Sequence, residues 1–140
     1  MESFVLAVES AIQLGDVGSA EQLLLEVESL PPGRFPAYLE GHARRFRARM
    51  ASDPSDAERG FKSAIGRFRE LEAVFWTAAT ELELSEWLAS QGRPDEMTPL
   101  LDPAGAVFER VSARPWLERV ERLRTAALAE IATGDAPLDV

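Results

Sequence analysis

The chain has 140 residues, 46% of them hydrophobic and 28% charged, and a formal net charge of −9. That length and mix specify one folded domain with a real core rather than a disordered segment. The absence of cysteine excludes disulfides, thiolate metal sites and cysteine nucleophiles.

The charge is unevenly spread. Residues 1–33 hold six acids and no base, residues 34–69 hold nine bases against four acids, and residues 70–140 hold fourteen acids against six bases. Nucleic-acid binding needs a dominant positive field, so a net-acidic chain with one basic middle is not expected to bind it. Met1-Glu2-Ser3 has no basic stretch leading into an apolar core, and no apolar run approaches the roughly 18 residues of a spanning helix. We therefore expect a cytoplasmic chain that does not enter a membrane.

A period of 3.6 dominates from end to end. Residues 2–14 place Phe4, Ala7, Val8 and Ala11 on one face, and Gly15-Asp16 ends the helix. Residues 17–30 align Ala20, Leu23, Leu24, Val27 and Leu30 before Pro31-Pro32-Gly33. Residues 37–51 align Leu39, Ala43, Phe46 and Met50, and the turn Asp53-Pro54-Ser55-Asp56 caps a helix over 56–70 with Ala57, Phe61, Ala64, Ile65 and Phe68 inward. A long helix follows over 74–91, apolar on more than one face and stopped by Gly92. Its acids Glu81, Glu83 and Glu86 read as a solvated surface or as partners for arginine. In 94–111, Pro99 and Pro103 predict a kinked helix or two short ones meeting near Asp102. The last helix spans about 115–132, with Trp116, Val120, Leu123, Ala127 and Ile131 in register. Seven helices joined by short turns must form antiparallel pairs. We expect one all-α domain over 1–133 and a flexible tail over 134–140.

Three segments repeat a spacing of small, then large apolar, then small: Ala20, Leu24, Val27; Ala57, Phe61, Ala64; and, more loosely, Met97, Leu101, Ala104. Small side chains let helices approach while the large one fills the facing groove. With Gly15 and Gly92 in the turns, the pattern resembles tetratricopeptide repeats, although the anchors Ala20, Ala57 and Met97 are spaced wider than that family's period. The resemblance implies a right-handed array of helix hairpins. A further resemblance, carried by Glu86-Trp87-Leu88-Ala89-Ser90-Gln91-Gly92-Arg93-Pro94-Asp95-Glu96 and by Ala113-Arg114-Pro115-Trp116-Leu117-Glu118-Arg119, is to the helical C-terminal regions of large bacterial signalling proteins. Those are class III adenylate or guanylate cyclases and LuxR-type ATPase regulators. It implies a piece or relative of such a protein, without its catalytic modules.

The residues that could carry chemistry are few. His42 is the only histidine, beside Arg44 and Arg45, and no second histidine or cysteine exists to complete a metal site or a nucleophile–base pair. It reads as structural, as do Trp76, Trp87 and Trp116 at helical positions. No catalytic set, metal or cofactor is expected, and the chain is not expected to be an enzyme. The expected function is protein docking or scaffolding; the alternative is a structural or regulatory segment packed on other domains of a larger protein. In tetratricopeptide arrays the first helix of each pair lines a concave groove. That resemblance assigns Val5, Glu9, Ile12, Gln13, Glu40, Arg44, Arg47, Leu82, Glu86 and Ala89 to a groove for a protein or peptide partner. Arg44 and Arg47 would pair there with Glu9 and Glu86 or receive a partner's carboxylate. The first helix is apolar on more than one side, so the first pair is expected to pack on further repeats or on a second copy.

Overall fold

The computed structural model describes residues 2–31 and 33–134. These are all-α: α1 Glu2–Gln13, α2 Val17–Glu28, α3 Ala37–Met50, α4 Pro54–Glu70, α5 Val74–Ser90, a 3-10 turn Pro94–Glu96, α6 Thr98–Arg110 and α7 Arg114–Gly134. No strand occurs among the described residues. The expected tail lies outside them, apart from Gly134, which still belongs to α7.

Four helices end the same way. After α1, α4, α5 and α6 one residue enters the left-handed region (Gly15, Glu72, Gly92 and Ser112), and the next amide reaches back to a carbonyl five residues earlier. Those bonds run from Asp16 to Ala11, Ala73 to Phe68, Arg93 to Leu88 and Ala113 to Phe108, at 2.8–2.9 Å. The closure satisfies carbonyls that a helix end otherwise leaves open. Helix starts use side chains where they are exposed. Asp16 accepts from the Ser19 amide at 3.1 Å, and Asp53 accepts from the amides of Ser55 and Asp56 at 2.8 and 3.2 Å, with Pro54 in the first turn of α4.

Of the two expectations for the prolines of α6, two short helices meeting near Asp102 do not form. The break falls at Met97, between the 3-10 turn and α6, and α6 runs unbroken through Pro103. An amide at 103 would have bonded the carbonyl of Pro99, which lies in the helix's own first turn, so a single bond is lost and no second helix is needed.

The chain divides into two compact units, Met1–Thr77 and Ala78–Val140, with the division inside α5. In the first unit α2 folds back on α1, α3 packs on both, and α4 pairs with α3. Val5, Val8, Ala11, Ala20, Leu24, Ala43 and Phe46 form one buried cluster, bordered by Phe4, Ile12, Leu23, Phe35, Met50 and Trp76. The α3–α4 pair is unusually close at two glycines. A Cβ on Gly41 would sit 2.7 Å from the Phe68 ring, and one on Gly60 2.9 Å from the Ala48 methyl. In the second unit α6 packs on the 3-10 turn and on α7. Leu101, Ala104, Phe108 and Val120 are buried there, and the Phe108 and Trp116 rings stack at 5.5 Å.

α5 is buried continuously from Ala78 to Ser85, as its two apolar faces require. Glu81 and Glu83 are therefore buried rather than a solvated surface, and neither lacks a partner. Glu86, half-buried, is an arginine partner, receiving Arg119 at 2.5 and 3.1 Å.

Candidate functional site

The arginine run of α3 is dense in sequence and dispersed in space, because consecutive helical residues differ by about 100° in direction. Arg44 turns to α4, donating to Ser63 at 3.1 Å, and also pairs with Glu40 one turn back. Arg47 turns to α2 and bridges Glu28, at 2.7 and 3.2 Å, and Glu21. Its hydrogen bonds to Glu28, more than those to Glu21, hold the guanidinium pKa above its ordinary value. Arg49 turns to α1 and donates to Glu9 at 2.7 Å. Arg45 is buried, with its guanidinium 4.4 Å from the Phe46 ring centre, 5.1 Å from that of Trp76 and 3.9 Å from Glu9.

His42 lies one turn before Phe46 and is fully buried in an aromatic cage. Ring centres stand at 4.4 Å for Trp76, 4.8 Å for Tyr38, 4.9 Å for Phe68 and 6.2 Å for Phe46. Neither ring nitrogen has a hydrogen-bond partner. Burial first, and the neighbouring Arg45 charge second, push its pKa down to about 3. The ring is thus neutral near pH 7, where it acts as an aromatic core residue. No group of three or more His, Asp or Glu side chains placed to hold a metal occurs among the described residues.

Seven of the ten expected groove residues lie in the first unit and three in the second. Val5 and Leu82 are buried. Ile12 borders the core, and Gln13 is exposed. Glu9, Glu40, Arg44 and Arg47 are half-buried and bound into contacts between or within helices. Glu86 and Ala89 are half-buried in the second unit. The ion pairs differ from those expected: Glu9 receives Arg49, Glu86 receives Arg119, and Arg44 and Arg47 have Glu40 and the α2 acids instead.

A surface the sequence did not disclose runs along α7. Leu117, Thr125, Ala126 and Ala129 floor an open groove of about 880 Å³, bordered by Glu118, Glu121, Arg114 and Arg122 of α7 and by Glu109 and Ser112 at the end of α6. It exists because α7, at 21 residues, outruns the 13 of α6, and Val120 and its neighbours pack on one side only. The unequal helix lengths and one-sided apolar pattern were the available signal. Its charges are partly tied down: Arg124 beside the groove reaches Asp102 at 2.9 Å and Glu121 at 3.2 Å. Compared with family models, curated proteins and solved structures, the chain has no significant match.

Proposed function

We propose that this chain is a non-catalytic docking module that receives an amphipathic helix of a partner protein in the groove along α7. The groove itself carries the reading. From Arg114 to Ala129 it spans about 22 Å, the length of four helical turns. Its floor is small and apolar, suited to close approach by a second helix, and both charge signs on its rim fix the register of an amphipathic partner. The tetratricopeptide-like spacing of the sequence supports the same class of function, since such arrays work by holding other protein. The resemblance to the C-terminal regions of bacterial cyclases and LuxR-type regulators supports a role for that docking in signalling.

The test has two steps. A photo-crosslinking residue at Thr125 identifies the protein that occupies the groove. The purified partner is then titrated against the parent chain, Ala126→Trp and Arg44→Glu/Arg47→Glu. Ala126 is exposed, so the indole fills the groove without entering the core. Binding about tenfold weaker or worse for Ala126→Trp, with an unchanged melting curve, is the expected result. Unchanged binding refutes the α7 site. Loss on the α3 double variant alone, with intact folding, returns the docking surface to the arginines.

A further inference from the structure

The chain repeats one piece of structure in a way that bears on α7. Phe68, Leu71, Ala73 and Trp76 recur as Phe108, Val111, Ala113 and Trp116, each 40 residues later. Both turns carry a left-handed residue, Glu72 or Ser112, and both return an amide to the phenylalanine carbonyl, Ala73 to Phe68 at 2.9 Å and Ala113 to Phe108 at 2.8 Å. Numbered from their first residues, α3 (Ala37), α5 (Val74) and α7 (Arg114) can be compared position by position. The seventh residue, Ala43, Thr80 or Val120, is buried in all three. The fifth, eighth and twelfth differ. On α3 they are Gly41, Arg44 and Ala48, and these meet α4: Gly41 faces the Phe68 ring, Arg44 donates to Ser63 at 3.1 Å, and Ala48 abuts Gly60. On α5 they are Ala78, Glu81 and Ser85, all buried. On α7 they are Glu118, Glu121 and Thr125, all exposed, and all three line the groove.

We propose that the partner helix takes on α7 the place that α4 takes on α3. This rests on the docking function of the groove and specifies what fills it. Gly41, Arg44 and Ala48 meet Phe68, Ser63 and Gly60 in turn, so the α3–α4 pair is antiparallel, and the partner accordingly runs antiparallel to α7. Where Ala48 meets Gly60, Thr125 meets a glycine, alanine or serine, since a larger side chain would hold the two helices apart. Where Gly41 meets Phe68, α7 has Glu118. That side chain fills the space the ring takes on α3, and covering its carboxylate with an apolar group would leave the charge uncompensated. A lysine or arginine meets it instead. Arg114 and Arg122 border the same groove, so the base is placed by Glu118 and not by net charge. The partner is thus an amphipathic helix with a small residue and, eight residues toward its C-terminus, a base, as Gly60 precedes Phe68 in α4. A cation toward a helix C-terminus is itself favoured by the dipole. The 17 residues of α4 span about 26 Å, and a helix of that length covers the groove from Arg114 to Ala129.

The probe is a synthetic peptide with the sequence of α4, residues 54–70, made with Phe68→Lys in one version and Phe68→Glu in another. Fluorescence anisotropy against the full chain at low salt follows its binding. The Phe68→Lys peptide should bind the parent saturably, and Ala126→Trp in the chain should weaken it about tenfold or more. The Phe68→Glu peptide should bind the parent about fivefold more weakly, and Glu118→Lys in the chain should reverse that preference. Glu118 and Ala126 are exposed, so both variants should keep the parent's melting curve. A peptide that does not bind, or that binds the Ala126→Trp variant equally well, overturns the proposal, and docking is then judged by the protein crosslinked at Thr125. A preference that ignores Glu118→Lys overturns the register and with it the proposal, while docking in the groove stands. Association of the chain with itself that Ala126→Trp abolishes makes a second copy the occupant and overturns it as well.

Discussion

His42→Phe isolates the effect of one buried ring. In the folded chain His42 stays neutral down to about pH 3, whereas in the unfolded chain it titrates near its ordinary value of 6.5. Between those values the unfolded state binds a proton that the folded state does not. Stability therefore falls as pH falls through 6.5, by about 1.4 kcal/mol per pH unit once the unfolded histidine is charged, and the contribution is fully present above that value. From pH 7 to pH 5 the loss from this residue is about 2 kcal/mol. Phenylalanine fits the aromatic cage and has no proton to take up. It also removes two buried nitrogens that lack partners, so at pH 7 the variant should be as stable as the parent or up to about 1–3 kcal/mol more stable. Urea unfolding of both proteins at pH 7 and pH 5 measures the difference. The variant should lose about 2 kcal/mol less than the parent between the two conditions. Equal losses, or an NMR titration placing His42 near pH 6.5 in the folded chain, would refute the reasoning, because either requires a ring that reaches solvent.

The close α3–α4 approach and the helix closures give two more expectations. Gly41→Ala forces a methyl group against Phe68, which is wedged between Tyr38 and His42 and cannot yield, so chemical denaturation should show a loss of about 1–3 kcal/mol. Gly15→Ala, at φ +76°, should cost about 1 kcal/mol, whereas Glu72→Gly, at φ 55°, should be neutral or stabilising by up to about 1 kcal/mol; thermal melts with the opposite ordering would contradict the left-handed assignment.

The helices were readable because burial imposes a period. Ala57, Phe61 and Ala64 recur at helical spacing and all three are buried, as are Met97, Leu101 and Ala104 of the looser match. Gly15 and Gly92 announced their closures, since glycine enters the left-handed region at little cost. Glu72 and Ser112 make the same closure and announce nothing, because the five-residue return bond is made by backbone and no side chain is selected for it. Pro103 misled for a related reason. A proline removes one particular amide, and what that costs depends on how far it stands from the helix start, which is the least certain boundary in any sequence.

The site was harder to read, and α3 shows why. A run of four arginines within six residues looks like one electropositive patch in a linear sequence. On a helix those positions fan out around the axis, and each finds a different neighbour: Arg44 finds α4, Arg47 finds α2, Arg49 finds α1, and Arg45 enters the core over Phe46 and Trp76. Sequence spacing gives the angle of each side chain, but the acid that meets it is set by packing between elements remote in sequence, as the 40-residue separation of Arg49 and Glu9 illustrates. The same dispersal draws Glu9 of α1 and Glu21 and Glu28 of α2 to arginines of α3. Those three acids are neutralised by pairing, so charge counted per segment overstates the charge that a partner meets.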